Sequence, residues 1–226
     1  MKKLLRNTKR LLDKTFGSKT DEMYWRFRHV FGSRKWAEKY LSEASLNHPH
    51  RKFIIDKIAG CAPLKTILEI GCASGPNVYL LAKKFPEVKL YGIDISKKAV
   101  ETGNKLLKKE SISNVKLYAG KADELGQFPD KSFDIVFTDA TLIYIDPDKI
   151  NKVIGEMLRV ARKAVILNEW HKETPESFYN DHWVHNYKSL FKQFIPEDKI
   201  KFTKLPENLW DRNWSEYGYI IEIINQ

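Results

Sequence analysis

The sequence predicts a three-layer α/β/α fold in which helices cover both faces of a mostly parallel, seven-stranded sheet. From Thr66 onward, strand-like and helix-like segments alternate, which is typical of a parallel sheet. The last two strand-like segments follow one another without a helix, which predicts an antiparallel pair and hence a reversed edge strand. The 226 residues fit one such domain with an appendage.

The first three strands are predicted at TILEI, VKLYGID and NVKLYAG, with two helices between them. The first helix is expected from Pro76 to around Phe85, because proline suits a first helical turn. The second is expected from Ser96, which can cap a helix, to around Lys109. These segments form the first half of the predicted parallel sheet.

The second half of the sheet begins at FDIVFTD, the predicted fourth strand. A helix from around Asp148 to Ala161 then leads to the fifth strand, AVILNEW. After Trp170, the stretch HKETPESFYNDHWVHNYKSLFKQF is interpreted as helical and irregular. KIKFTKL and YGYIIEIIN are predicted as the final two strands, with no helix between them.

Residues 1–60 are predicted to form a basic helical extension in front of a domain over residues 61–226. The expected helices are DEMYWRFRHVF and SRKWAEKYLSEA. Their aromatic residues fall on shared helical faces, with Tyr24, Phe27 and Phe31 on one and Trp36 and Tyr40 on another. We expect these faces either to pack against the domain or to form a lid over its site.

The formal net charge is +10, and the first 60 positions supply most of it, with 15 Lys or Arg against 6 Asp or Glu. This predicts an anionic partner, such as nucleic acid, a phospholipid surface or a phosphorylated acceptor, or else a purely solubilising role. No run approaches the roughly 20 apolar residues of a membrane span, and the opening lacks the apolar stretch of a secretory signal, so we expect a cytoplasmic protein. Cys61 and Cys72 are too few for a disulfide framework or a zinc site.

The stretch EIGCASG, residues 69–75, lies between the first strand and the first helix, and Asp94 ends the second strand. Gly71 and Gly75 let the backbone turn sharply and approach a ligand closely. A carboxylate at Asp94 can accept the hydroxyls of a ribose. A nicotinamide fingerprint would need glycine at Ala73 and Pro76, and both positions fail that pattern.

This combination resembles the class I, Rossmann-like S-adenosylmethionine-dependent methyltransferases. The resemblance implies that Glu69 holds the methionine end of S-adenosylmethionine, lined by backbone groups of Gly71 and Cys72. Ala73 stands where the family tends to have glycine, which predicts less room for the cofactor. Gly75 completes the predicted loop.

The later motifs of the resemblance supply the rest of the predicted cofactor site. Asp94 is expected to bind the ribose and Ile95 to touch the adenine. In AGKADEL, the Ala122 N–H is expected to read the adenine edge, Lys121 stands where the family often has an acid, and Asp123 is a substitute for that acid. In FDIVFTDATLIYI, the residues expected beside the sulfonium are Asp139 and Ala140.

The acceptor side offers three histidines after the fifth strand: His171, His182 and His185. A hydroxyl acceptor needs a base, so these are the candidate catalytic residues, with surface or packing roles as the alternative. Asp181 lies one helical turn before His185 and would orient it. Glu169 and His171 alone do not predict a metal site.

Two motifs that the sequence lacks reduce the range of possible acceptors. TDAT replaces the N/D-P-P-Y/F pattern of enzymes that methylate exocyclic base nitrogens, and no Pro-Cys pair offers a nucleophile for a pyrimidine carbon. Aromatic and basic residues interleave in the extension and would stack bases or sugars: Tyr24, Trp25, Phe27, Phe31 and Trp36 with Arg26, Arg28, Arg34 and Lys35. We expect methylation of a small-molecule or glycan acceptor at oxygen, with an RNA methyltransferase or a non-catalytic cofactor-binding module as alternatives.

Overall fold

The computed structural model describes residues 18–28, 35–179, 182–210 and 212–224. Before the sheet it has four helices in the described ranges: α1 (Ser18–Arg26), α2 (Trp36–Lys39), α3 (Glu43–Leu46) and α4 (Pro49–Ala59). α3 begins after Ser42, whose hydroxyl accepts the Ser45 N–H, and α4 has Pro49 in its first turn. Phe31 and the basic segment up to residue 17 lie outside the described residues.

The alternating region follows the predicted order with boundaries shifted by at most a few residues. Its elements are β1 (Thr66–Ile70), α5 (Pro76–Lys84), β2 (Lys89–Asp94), α6 (Lys97–Lys109), β3 (Val115–Ala119), β4 (Phe133–Asp139), α7 (Pro147–Val160) and β5 (Ala161–Trp170). Ser96 caps α6 as expected, because its hydroxyl accepts the Ala99 N–H. A short 3₁₀ turn, Leu142–Tyr144, lies between β4 and α7.

The region after Trp170 differs from the sequence prediction in two places. The elements there are β6 (Ser177–Tyr179), β7 (His182–Val184), α8 (Tyr187–Phe191), β8 (Ile200–Lys204), α9 (Arg212–Tyr217) and β9 (Gly218–Ile224). β6 and β7 form an antiparallel ribbon where the sequence was interpreted as helical and irregular. A short helix, α9, stands between the last two strands where none was predicted, held by the buried side chain of Trp214.

The seven-stranded sheet has the order β3-β2-β1-β4-β5-β9-β8, which confirms the predicted fold class. The five strands from β3 to β5 pair in parallel. β9 runs antiparallel to both of its neighbours, so the reversed strand lies one position in from the outer strand β8. The strand order reverses between β1 and β4, where open α/β sheets bind ligands at the carboxyl ends of their strands.

The core has one apolar cluster on each face of the sheet. Residues of β1 alternate between them, with Ile67 in one cluster and Leu68 and Ile70 in the other. Ile54 and Ile58 of α4 are buried in the same cluster as Ile67. The division at residue 60 stays a proposal. Helix α4 shares a core cluster with the strands that follow it.

Among the described residues, no helix combines the length and the apolar character that crossing a membrane requires.

Candidate functional site

A cavity of about 410 Å³ lies at the carboxyl ends of β1, β2, β4 and β5, at the point where the strand order reverses. Its volume falls in the range of about 300–1,000 Å³ that is usual for small-molecule sites. Of the predicted cofactor residues, those that line it are Glu69, Gly71, Cys72, Ala73, Asp94, Ile95, Ala122, Asp123, Asp139 and Ala140. The fold therefore brings together side chains from four strand ends.

The loop after β1 takes its shape from three residues with positive φ: Gly71 at 73°, Ala73 at 49° and Gly75 at 79°. A Cβ on Gly71 would lie 2.1 Å from the Thr141 hydroxyl oxygen, so only glycine fits there. The left-handed backbone at Ala73 explains why glycine suits that position. Gly75 does not line the cavity, and its part is to turn the chain into α5.

Backbone N–H groups of this loop already donate hydrogen bonds to other groups of the protein. The N–H groups of Gly71 and Cys72 both donate to the Ile93 carbonyl, at 2.8 and 3.1 Å. The expectation that these residues line the methionine end is consistent with their place in the cavity wall, but their N–H groups are committed to the neighbouring strand. The Cys72 thiol is buried, and burial raises its pKa well above the usual value.

Asp94 is held at the end of β2 by two backbone donors. The Ala73 N–H donates to its Oδ2 atom and the Ser96 N–H to its Oδ1 atom, both at 2.8 Å. Burial raises the pKa of Asp94 to about 6, although these two hydrogen bonds act in the opposite direction. Each carboxylate oxygen keeps a lone pair, so the group fits a diol ligand.

Glu69 is a buried acid that can still accept a further hydrogen bond. Its Oε1 atom accepts from the Asn77 amide at 2.7 Å, while Oε2 is buried without a hydrogen-bond partner among the described residues. Burial raises the pKa of Glu69 to about 8, and the carboxylates of Asp139 and Asp94 add to the shift. An orphaned carboxyl oxygen in a cavity wall fits an ammonium group, because the ligand would satisfy it.

Asp139, at the end of β4, is the centre of a buried polar cluster. Its Oδ1 atom accepts from Asn168 at 2.7 Å, and its Oδ2 atom accepts from Asn77, His50 and Arg51 at 2.9, 3.2 and 3.4 Å. Burial would raise the pKa of Asp139, but the charges of His50 and Arg51 and the amide hydrogen bonds outweigh it, so the pKa lies below its usual range. The carboxylate stays ionised.

His50 and Arg51 line the cavity, and the sequence analysis missed both. They come from α4, outside the strand–helix motifs. One signal was present in the sequence, because Arg51, Ile54, Ile55 and Ile58 have the spacing of a buried helical face. A charge at such a position needs a buried partner, which here is Asp139.

Helix α1 lies along the cavity and contributes Asp21, Glu22 and Trp25 to its wall. Glu22 forms ion pairs with Lys121, at 3.1 Å, and with Lys149. Trp25 packs edge-on against Tyr144 with ring centroids 4.5 Å apart. A carboxylate from α1 thus stands beside Lys121, where the family often has its own acid.

The three candidate catalytic histidines do not share the cavity, although a β-bridge brings His171 and His185 next to each other. His182 lines the cavity, with its Nε2 atom 3.1 Å from the Tyr144 hydroxyl. His185 is fully buried, and its Nε2 atom faces the carbonyl oxygens of Leu142 and Ile145.

His171 is also buried and stacks on Phe202, and its Nδ1 atom accepts the Tyr187 N–H. Neither His171 nor His185 lines the cavity, so their predicted catalytic role does not agree with their position. Asp181 lies outside the described residues, and the helical spacing argued for it fails because residues 182–184 form the strand β7.

The Glu169 side chain holds the loop after β4 in place. Its carboxylate accepts the N–H groups of Thr141, Leu142 and Ile143 at 2.9 to 3.3 Å, and burial raises its pKa to about 7. This fixes the 3₁₀ turn that carries Tyr144 into the cavity wall.

Aromatic side chains form much of the remaining wall. Five of the six tryptophans line the cavity, namely Trp25, Trp36, Trp170, Trp210 and Trp214. Trp210 stacks on Trp214 with ring centroids 4.1 Å apart, and Trp214 meets Trp170 edge-on at 5.8 Å. Of the aromatic set predicted in the extension, Trp25 and Trp36 line the cavity, whereas Tyr24 and Phe27 do not.

Comparisons with known proteins agree on the family. A methyltransferase-domain family model matches residues 62–220. An uncharacterized protein of Rickettsia prowazekii is 33% identical over 162 residues, which is 64% of either chain. The demethylmenaquinone methyltransferase of Geobacillus stearothermophilus is 36% identical over 103 residues, 45% of this chain and 43% of the relative. These alignments therefore span less than two thirds of either relative.

Among solved structures, the magnesium protoporphyrin IX methyltransferase of Synechocystis PCC 6803 with bound S-adenosylhomocysteine shares the fold. The TM-score is 0.66 at 16% identity, covering 91% of this chain and all of the other. The family match extends over more than half of the chain and includes the loop after β1 and the acid at the end of β2. This chain belongs to the class I S-adenosylmethionine-dependent methyltransferases.

Proposed function

We propose that this chain transfers the methyl group of S-adenosylmethionine to an oxygen atom of a small-molecule or saccharide acceptor. The observation that carries the proposal is the aromatic wall of the cavity, where five tryptophans line a space sized for a small molecule. Flat apolar rings and the CH faces of sugars both pack well on indole. The name of the Geobacillus relative, a demethylmenaquinone methyltransferase, also supports a small acceptor.

Methyl transfer from a sulfonium is an in-line displacement, so the enzyme mainly aligns the acceptor with the methyl group in a dry pocket. A hydroxyl acceptor must also lose its proton. His182 is an imidazole that lines the cavity, where it can accept that proton. This supports oxygen as the acceptor atom.

The test of the proposal is a turnover screen with S-adenosylmethionine carrying a labelled methyl group. Hydroxyl-bearing aromatic, quinol and saccharide acceptors are compared with matched amines and with RNA, and labelled products are identified by mass. We expect label in a small hydroxyl compound. Label confined to amines or RNA, or no transfer to any acceptor, would contradict the proposal.

The second proposal is an RNA acceptor, because the segment before residue 18 is basic and could bind a phosphate backbone. If RNA binds through it, affinity should fall steeply with salt, and removing residues 1–17 should flatten that dependence. The expected result for a small-molecule enzyme is turnover that does not depend on those residues.

Replacement of Asp94 by alanine is expected to weaken S-adenosylhomocysteine binding by about 1 to 3 kcal/mol, because the ribose hydroxyls lose their acceptor. Isothermal titration calorimetry measures the change. Asp56→Ala is the matched control, since Asp56 pairs with Lys52 and Lys84 on the surface and does not line the cavity. Equal affinity in wild type and Asp94→Ala would contradict the ribose assignment.

Cofactor affinity is expected to rise with pH up to about pH 8. The carboxylate form of Glu69 pairs with the ligand's ammonium group, and the pKa of Glu69 is raised to about 8, so binding at lower pH requires the loss of a proton. We expect the affinity for S-adenosylhomocysteine to increase by at least about tenfold from pH 6 to pH 8, since one proton contributes up to tenfold per pH unit.

The raised pKa of Glu69 also makes the ligand-free protein less stable as pH rises. Native Glu69 keeps a proton that the unfolded chain loses above its ordinary pKa of 4.5, so stability falls as pH rises from there to about 8. Glutamine cannot titrate, so we expect Glu69→Gln to lose the pH dependence of both binding and stability. A pH profile of Glu69→Gln that matches wild type would assign the dependence to another group.

A further inference from the structure

Helix α1 has one face in the cavity wall and the opposite face in solvent. Asp21 and Trp25, four residues apart on one side of the helix, both line the cavity. Trp25 packs edge-on against Tyr144 at 4.5 Å, and Glu22 forms an ion pair with Lys121 at 3.1 Å. These contacts fix which side of α1 points away from the protein.

The side of α1 that points away, called here its outer face, consists of Lys19, Met23, Arg26 and Phe27. The spacing of these residues places them on one side of a helix. Phe27 continues the last turn, because its N–H donates to the Met23 carbonyl at 3.0 Å. Met23 and Phe27 are 50% and 44% exposed, and both cations are exposed as well. The outer face therefore offers two large apolar groups and two positive charges together.

Other large apolar side chains with this exposure are scattered over separate elements. In the described part of the chain they are Tyr118 of β3, Tyr179 of β6, Phe194 after α8 and Ile224 of β9. Apolar residues exposed singly are normal on a protein surface, whereas clustered ones mark places of interaction. The outer face of α1 is the place where two of them share one helix with neighbouring cations.

This combination of groups matches an anionic lipid surface. At the boundary of headgroups and acyl chains, apolar side chains are buried, while Lys and Arg place their stems in the apolar layer and their charges at the phosphates. Residues 1–17, which precede α1 directly, add six Lys or Arg against one Asp. The phosphates of an RNA would satisfy the cations but would give the Met23 side chain no apolar environment.

We propose that the outer face of α1 docks this chain on a membrane surface that contains anionic phospholipids. Because the opposite face of α1 lines the cavity, docking brings the cavity within about 10 Å of the lipid, the diameter of one helix with its side chains. The inference concerns a partner, and it does not depend on the methyl acceptor.

Co-sedimentation of the full chain with lipid vesicles tests the inference. Vesicles of phosphatidylcholine alone are compared with vesicles that also contain phosphatidylglycerol. We expect the mixed vesicles to bind at least about tenfold more tightly, and salt to weaken that binding, since each cation near an anionic surface contributes to the attraction. Equal binding to both kinds of vesicle, or binding to neither, overturns the inference.

The apolar half of the outer face is tested by Met23→Ser combined with Phe27→Ser. We expect the affinity for mixed vesicles to fall at least about tenfold, because both side chains lose their burial in lipid. Phe194→Ser combined with Ile224→Ser is the matched control, since those two side chains are 46% and 47% exposed, and it should bind as wild type does. Phe27→Trp should bind at least as tightly as wild type, because tryptophan suits the bilayer interface.

The cationic half is tested by Lys19→Gln combined with Arg26→Gln, for which we expect a loss of at least about fivefold. Lys105→Gln combined with Lys108→Gln is the matched control. It removes the same charge from exposed positions of α6, and it should lose much less. Equal losses in the two double variants would show that only net charge matters, which overturns the inference.

Circular dichroism checks that each variant is folded. A folded Met23→Ser, Phe27→Ser variant that binds mixed vesicles like wild type overturns the inference, and so does a wild type that binds single-stranded RNA but no vesicles. If that variant does not fold, Phe27→Trp and the two cation variants decide, and weaker binding by Phe27→Trp overturns the inference. Vesicle binding by a chain that methylates no acceptor would support the docking and reject only the proposed function.

Discussion

Replacement of Arg51 by methionine is expected to lower the free energy of unfolding by about 3 to 5 kcal/mol, the usual cost of removing one member of a buried ion pair. Arg51 is 5% exposed, and its guanidinium donates to the Ser45 carbonyl and hydroxyl, to Asn77 and to Asp139. Methionine fills a similar volume but leaves these acceptors without a donor. The effect should appear as a lower midpoint in urea unfolding at neutral pH.

Arg51→Lys is the matched control, because lysine keeps the positive charge but not the planar fork that reaches four acceptors. We expect an intermediate loss of stability. If Arg51→Met unfolds within about 1 kcal/mol of wild type, the cluster around Asp139 does not hold α4 on the sheet in the way described. The affinity for S-adenosylhomocysteine, measured on the same variants, separates a loss of stability from a loss of binding.

Replacement of Gly71 by alanine is expected to destabilise the fold by about 2 to 5 kcal/mol, the sum of a left-handed backbone penalty and of overpacking. The backbone φ of Gly71 is 73°, and the added methyl group would fall 2.1 to 2.7 Å from the Thr141 side chain. The loop after β1 and the loop after β4 cannot both keep their places. Thermal and urea unfolding measure the loss, and cofactor binding should weaken with it.

Gly75→Ala provides the comparison for Gly71→Ala. Its φ of 79° carries the same backbone penalty, but the added methyl group meets only the ends of the Leu117 and Val78 side chains, at 3.1 Å. Gly75→Ala should therefore lose less stability than Gly71→Ala. Equal losses would show that the clash with Thr141 contributes nothing and that backbone conformation alone requires glycine at both positions.

The histidines show the limit of predicting the residues of the cavity from sequence pattern alone. His171, His182 and His185 follow β5 and were expected at the same edge of the sheet, yet only His182 lines the cavity. The ribbon of β6 and β7 carries the chain across that edge, and the His185 ring turns to the carbonyl oxygens of Leu142 and Ile145. Which way a ring points after an irregular segment depends on packing partners far away in the chain.

The sequence by itself determined the sheet, the loop after β1 and the acid after β2, because these depend on local spacing of apolar residues, on glycine at a left-handed backbone position and on a carboxylate at a strand end. Only the tertiary structure decided the rest of the cavity wall. His50 and Arg51 reach Asp139 across 89 and 88 positions of sequence, and Trp210 and Trp214 join them from near the other end of the chain. Such contacts arise from how α4 and α9 pack on the sheet, and neither helix carries a short-range pattern that specifies its partner.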